Sequence, residues 1–229
     1  TCDGGFAVAG GSASPPGGTK TSASFGDTDM WMVRLDDRGQ QVWETVVGRS
    51  AWEEAKTLAS TPEGGFLLAG FGGGGSGGNR GGTYFGATDM VLARLDSGGR
   101  LLWDTTYGGA DYDGLYAMTE TPDGGWILTG DSASGLSGNK TSPNYGSWDA
   151  WVVKVNSTGT KLWEMAAGGA DNDGLNVMVG LPQGACVVAG DTASGISGNK
   201  SAMSFGGGDG WIMGLGPTGL KQWELSFGG

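Results

Sequence analysis

The sequence predicts an all-β protein built from four copies of one four-stranded unit, and three observations carry that reading. The first is a repeat. Thr1-Cys2-Asp3-Gly4-Gly5-Phe6 returns as Thr61-Pro62-Glu63-Gly64-Gly65-Phe66, as Thr121-Pro122-Asp123-Gly124-Gly125-Trp126 and as Leu181-Pro182-Gln183-Gly184-Ala185-Cys186, at an unbroken spacing of 60. The register holds at Gly10, Gly70, Gly130 and Gly190, at Asp29, Asp89, Asp149 and Asp209, and at Trp43, Trp103, Trp163 and Trp223. A period of this size marks stacked or radial supersecondary units. The second is punctuation: the 50 glycines of the 229-residue chain cluster between short apolar runs such as Trp126-Ile127-Leu128 and Trp151-Val152-Val153. The third is that no stretch carries a helical period, so these runs read as strands joined by turns.

The third unit shows the elements in order. Gly125 to Gly130 reads as a strand, followed by a loop of about 18 residues. Asp149 to Val155 and Lys161 to Ala167 flank a turn at Asn156-Ser157-Thr158-Gly159, and Leu175 to Val179 runs into the Leu181-Pro182-Gln183-Gly184 turn. Four antiparallel strands per repeat form the blade of a β-propeller, whose radial closure leaves only short protected edges. The repeat units are 1–60, 61–120, 121–180 and 181–229, the last without its final strand, within a single repeat domain spanning 1–229.

Hairpins across the Pro-Asp-Gly-Gly turns place the small-residue strands (Ala55 to Ala59, Leu115 to Thr119, Leu175 to Val179) first in each blade and the Trp-acid strands last. The first blade then lacks its first strand, and the chain holds fifteen strands rather than sixteen. It is expected to be a segment of a larger propeller or an incompletely closed ring. A start at Thr1, without Met or signal peptide, reads as a processed, trimmed or fragment boundary.

Composition removes several functions. A formal charge of −11 with no basic stripe opposes nucleic-acid binding, which begins with clustered Lys and Arg. The absence of His excludes the Ser-His-Asp triad, the Cys-His dyad and His-containing zinc sites. No apolar run approaches the roughly 18–20 residues that cross a bilayer, so no transmembrane segment is expected. Cys2 and Cys186 occupy different repeat positions, which favours two free thiols over a single bridge.

Asp-Gly-Gly-aromatic, a strand ending in Gly, a Gly/Ser/Asn-rich loop, Asp149-Ala150-Trp151-Val152-Val153-Lys154, Leu162-Trp163 and Gly168-Gly169-Ala170-Asp171 together carry a resemblance. Over essentially the whole chain the sequence resembles the bacterial delta-60 type β-propeller repeats of secreted and cell-surface proteins. The resemblance implies a secreted, cell-surface or periplasmic setting and a role as a binding or structural module. It carries no common activity.

Four constellations remain as candidate sites. Trp43, Trp103, Trp163 and Trp223, each followed by an acid (Glu44, Asp104, Glu164, Glu224), match a sugar-binding ledge, in which an indole stacks on a pyranose and a carboxylate accepts its hydroxyls. The competing and favoured reading packs each Trp between neighbouring blades and turns each acid to water. Asp29, Asp89, Asp149 and Asp209 each follow an aromatic-Gly pair and open a strand, where Asp caps a turn.

Asp111 with Asp113, and Asp171 with Asp173, place carboxylates two apart before Gly, a pattern a calcium ion could use; calcium is the one cofactor considered, with ordinary turns favoured. The near-identical loops Ser134 to Lys140 and Ser194 to Lys200 gather where ligands would be met. Sequons at Asn139, Asn156 and Asn199 matter only in a host that glycosylates.

The equivalence of the units favours a non-catalytic β-propeller binding or scaffold module of a secreted or surface-associated assembly, presenting loop faces to a protein or glycan partner. A carbohydrate-binding lectin is the first alternative. A carbohydrate-active propeller enzyme is the second, and it requires inward acids that break the repeat; Glu53, Glu54 and Glu120 are the candidates and form no convincing pair.

Overall fold

The structure, a computed structural model, describes residue 1 and residues 3–229, so pairing of Cys2 with Cys186 lies outside the described residues. It contains fifteen β-strands and one short 3-10 turn, Pro182–Gly184, with no α-helix among the described residues. Every strand pairing within the sheets is antiparallel. Among the described residues no helix is long and apolar enough to cross a membrane.

The chain divides into two compact units. Unit 1, Thr1–Tyr107, holds a three-stranded sheet of β1 (Phe6–Ser12), β2 (Asp29–Leu35) and β3 (Gln41–Val47). Its second sheet is a meander of β4 (Glu53–Ser60), β5 (Phe66–Gly72), β6 (Asp89–Leu95) and β7 (Leu101–Tyr107). Unit 2, Gly108–Gly229, holds two such meanders: β8 (Asp113–Glu120), β9 (Trp126–Ser132), β10 (Asp149–Val155) and β11 (Lys161–Ala167), then β12 (Asp173–Gly180), β13 (Cys186–Thr192), β14 (Asp209–Leu215) and β15 (Lys221–Phe227).

Each four-stranded sheet therefore begins with the last strand of one sequence repeat and continues with three strands of the next. The expected bounds of β10 and β11 match those observed. β9 and β12 run up to two residues beyond theirs, because Asp173 at the start of β12 pairs in register with Thr192 and Asp113 pairs with Ser132.

Within each unit the core lies between its two sheets. In unit 2, Ile127, Ala150 and Val152 on one sheet meet Leu175, Cys186, Val188, Trp211 and Met213 on the next. In unit 1, Met30, Met32 and Val47 meet Ala55, Phe66, Leu68, Val91 and Ala93. Strand β10 is buried along its whole length, so its run Asp-Ala-Trp-Val-Val-Lys-Val reads as continuous rather than alternating.

The repeated strand glycine has a packing cause. A bulge between Leu115 and Ala117 drives the Gly114 carbonyl against β9, and a Cβ on Gly130 would lie 1.8 Å from that oxygen. Gly190 faces the Gly174 carbonyl in the same way, at 2.1 Å. Gly10, on the sheet without a first strand, has nothing within 4 Å.

Candidate functional site

The Trp-acid strands resolve into two structural devices. The Trp43 indole Nε1 donates to the Ser97 carbonyl at 3.2 Å, and its ring covers Gly99 and meets Phe66 edge to face at 5.7 Å. Trp163 repeats this in unit 2, donating to the Pro217 carbonyl at 3.2 Å and covering Gly219. These indoles are seated on the turn of the following sheet and offer no open ledge. Trp103 is half-buried, and Trp223 is 44% exposed on the last strand.

The acids do not face water, contrary to the alternation expected of the strand. Glu44 accepts the backbone N–H of Ser22 at 2.6 Å, the N–H of Thr21, and the Trp31 indole at 2.7 Å. Burial pushes its carboxyl up, but the Ser22 and Thr21 amides outweigh this and hold it down at about 2. Asp104 takes the N–H groups of Gly81 and Gly82, Glu164 those of Thr141 and Ser142, and Glu224 that of Ser201. Each acid thus clamps the long loop of its own sheet.

A buried cation closes the same loop from inside. Lys140 is 2% exposed, and its Nζ donates to the carbonyls of Ser134 and Ser142, both at 2.9 Å. Lys20 bonds Ser14 and Ser22 in the same way, and Lys200 bonds Ala202. In the second loop Arg80 takes this place, with its Nε 3.3 Å from Asp104 and its Nη1 3.3 Å from Glu53.

The loop serines and asparagines are likewise committed to the fold. The Ser134 and Ser137 hydroxyls accept the N–H groups of Asp111 and Ala110, and Asn139 accepts that of Gly108. Asn199 accepts from Gly168 and donates to Ala166, tying one sheet to the next. The loops expected to meet ligands are mainly internal braces.

Asp29, Asp149 and Asp209 cap as expected, each accepting the backbone N–H four residues earlier, from Phe25, Tyr145 and Phe205. Their other oxygens are packed against glycine: a Cβ on Gly48, Gly168 or Gly228 would stand 1.8, 2.0 or 1.7 Å from Oδ1 of Asp29, Asp149 or Asp209. Asp89 takes the Phe85 N–H at 2.9 Å.

The paired aspartates considered for calcium separate. Asp111 and Asp171 are exposed, while Asp113 and Asp173 are buried. Asp113 accepts from Gly109 N–H at 2.7 Å, Ser132 Oγ at 2.5 Å and Ser134 Oγ at 2.8 Å. Asp173 accepts from Gly169 N–H, Thr192 and Ser194. Protein donors thus hold the two inward carboxylates. Among the described residues no group of three or more His, Cys, Asp or Glu assembles as a metal site.

The acids considered for catalysis also disperse. Glu53 is buried against Arg80, and burial pushes its carboxyl up against the opposing pull of the Arg49 N–H and the Arg80 charge. Glu54 pairs with Lys56 at 2.8 Å, and Glu120 is exposed.

One cleft whose lining groups are less committed to the fold lies wholly within unit 2. It has a volume of about 520 Å³ and is lined by Tyr116, Asp131, Trp148, Asn172, Asn176 and Asp191, with Asp173 and Gly174 behind them. Asp131 and Asp191 are repeat equivalents on β9 and β13; the same position holds Gly11 and Phe71 in unit 1.

Burial pushes the Asp131 carboxyl up to about 6, with Asp191 and Asp113 adding to the rise against the bond from the Tyr116 hydroxyl. Asp131 Oδ1 is buried and has no hydrogen-bond partner among the described residues. Asn176 Nδ2 donates to Asp191 Oδ1 at 3.2 Å. The Tyr112 ring stacks on Trp148 at 4.6 Å, and its hydroxyl lies 3.1 Å from that of Tyr116. The sequence signal for this cleft was departure from the repeat at positions 56, 71, 116, 131, 176 and 191, where attention to conserved repeat features points away from it.

No protein-family model matches the chain. No curated protein matches it either. Among solved structures, the chain is similar to Kuenenia stuttgartiensis hydrazine synthase at 11% identity and a TM-score of 0.42, covering 82% of this chain and 59% of that one. It thus spans about three fifths of that neighbour's length. A protein of unknown function from Bacteroides caccae is similar at 12% identity and a TM-score of 0.32, covering 88% of this chain and 78% of that one. Neither likeness is close enough to assign an activity.

Proposed function

We propose that this chain is a non-catalytic β-propeller binding module that serves a secreted or surface-associated assembly, with the unit 2 cleft as its ligand site. Blade-like meanders of four antiparallel strands, packed sheet on sheet within each unit, support the propeller reading. The observation that carries the binding reading is the cleft itself. Two carboxylates, two amides and an aromatic stack gather at repeat positions where unit 1 has Gly11, Thr28, Trp52, Lys56, Phe71 and Thr88. Pockets of roughly 300–1,000 Å³ with a few convergent polar groups are ordinary ligand sites.

A glycan in the same cleft is the second reading. The Tyr112–Trp148 stack and the Asn172 and Asn176 amides favour it, and the Asp131 carboxyl, poised near neutrality, supplies the proton donor a carbohydrate-active enzyme would need.

The test is a ligand screen of the whole chain by ligand-observed NMR, with the Asp131→Asn/Asp191→Asn double variant as control and aryl glycosides included as turnover probes. Saturable binding that the double variant loses supports a binding module. Turnover of an aryl glycoside, or no difference between the two proteins across the screen, overturns it.

A further inference from the structure

Unit 1 shows what the unit 2 cleft is missing. At the equivalent repeat positions, Lys56 Nζ pairs with Glu54 at 2.8 Å and stands 5.2 Å from the centroid of the Phe71 ring. Trp52 closes that cluster, meeting Phe71 edge to face at 5.8 Å. An ammonium tethered to the strand is thus held between a carboxylate and an aromatic wall.

In unit 2 the Lys56 position becomes Tyr116 and Asn176, so the tethered ammonium is gone. Acid and aromatic character remain, rearranged: Asp191 stands where Phe71 stood and Asp131 where Gly11 did, and Trp148, stacked on Tyr112, supplies the wall. No Lys or Arg lines the cleft.

Of the other recessed carboxylates, Asp29, Asp149 and Asp209 also leave an Oδ1 without a partner among the described residues, but there a glycine is packed against the oxygen; others are compensated. Glu53 has Arg80, Glu164 and Glu224 have Lys161 and Lys221, and Asp113 and Asp173 each have three donors. Asp131 has the Tyr116 hydroxyl and an Oδ1 without a partner among the described residues. A recessed carboxylate with no cation beside it is costly, and a neutral ligand would not relieve its charge.

We propose that the cleft binds an organic cation carrying N–H donors, a primary ammonium such as a lysine side chain, with Asp131 and Asp191 as acceptors and Trp148 as its aromatic wall. This rests on the reading of the cleft as a ligand site. The ammonium takes the place that Lys56 fills in unit 1. N–H donors bond the Asp131 and Asp191 carboxylates, and the alkyl stem and charge lie against the indole, where cation–π attraction adds to the ion pair. The charged groups that face Asp131 are all acidic or phenolic: Asp113 and Tyr116 on β8, Asp173 on β12 and Asp191 on β13. Binding therefore requires Asp131 ionised and weakens as pH falls below about 6.

The experiment is calorimetric titration of the whole chain at pH 7.5 with Nα-acetyl-lysine amide, with its neutral isostere Nα-acetyl-norleucine amide, with methyl glucoside and with calcium chloride. Expected is saturable binding of the lysine probe alone, weakened at least tenfold in Asp131→Asn and in Asp191→Asn, and weakened again between pH 7 and 5. Asn176→Lys, which restores a tethered ammonium, is expected to abolish probe binding while raising Tm, so that loss of binding cannot be laid to unfolding. Equal binding of the norleucine probe, or saturation by calcium with no lysine binding, overturns the proposal. Binding of the glucoside alone overturns it and leaves the cleft a ligand site; binding of none of the four removes both readings.

Discussion

Glu44 holds Trp31: the indole Nε1 donates to the carboxylate at 2.7 Å, while the same side chain takes the Ser22 backbone N–H at 2.6 Å. Glu224 and Trp211 repeat the pair at 3.0 Å. One side chain therefore joins the middle strand, the last strand and the long loop of a sheet, and this clamp recurs where the sequence shows only a Trp followed by an acid.

Replacing the clamp tests it. Glu44→Ala is expected to destabilise unit 1 by about 1–3 kcal/mol, because it strands backbone amides that the carboxylate had satisfied. The Glu44 carboxyl is held down at about 2 from an ordinary 4.5, so the folded state releases its proton more readily than the unfolded chain. Its stabilisation is present above about pH 4.5 and is lost as pH falls toward 2. Urea melts of parent and variant at pH 7 and pH 3 are expected to differ at pH 7 and converge at the lower pH.

Asp131 has the opposite sign. Its carboxyl is raised to about 6 from 3.8, so the folded state holds its proton more tightly than the unfolded chain. The stabilisation is fully present below about pH 3.8 and is lost as pH rises through 6. Asp131→Asn is expected to gain on the parent by about 1–3 kcal/mol between pH 4 and pH 7, read as a Tm difference that grows across that interval.

The strand glycines divide by packing. Gly130→Ala places a methyl against the Gly114 carbonyl and is expected to cost more than about 3 kcal/mol or prevent folding. Gly10→Ala, with open space around it, is expected to change stability by less than about 1 kcal/mol. Thermal melts of the two variants side by side check the contrast.

The tryptophans divide in the same manner. Trp163→Ala removes an indole seated on Gly219 and bonded to Pro217, and is expected to cost about 2–4 kcal/mol. Trp223→Ala removes a side chain that is 44% exposed and is expected to cost about half as much. Equal losses in urea melts would contradict the seating of Trp163 on its neighbour sheet.

Much of this was legible in the sequence because it is local. The 60-residue period, the fifteen strands, the bounds of Asp149–Val155 and Lys161–Ala167, and the capping by Asp149 all follow from strand periodicity and turn chemistry within a few residues. The roles of the repeated acids were not legible. Alternation turns Glu164 away from its strand's packed face, and nothing local shows that a loop some 22 residues earlier folds back to bury it. The fourth unit shows the same coupling: Gly214 replaces the cation of Arg34, Arg94 and Lys154 in the unit where Gln183 replaces its acid partner, and the ion pairs that join the others explain why both changed.

The sequence by itself determined the unit and its strands, because hydrogen-bonded hairpins and the period of two are written over short spans. Only the tertiary structure decided which polar groups are consumed by the fold and which line an open cleft. Tyr116 and Asp131 stand on facing strands of one sheet, Asp191 comes from the next sheet and Trp148 from the end of a long loop. Their meeting depends on how one sheet packs on another, and packing is fixed by the summed burial of Ile127, Val152, Leu175, Trp211 and their neighbours rather than by any spacing along the chain.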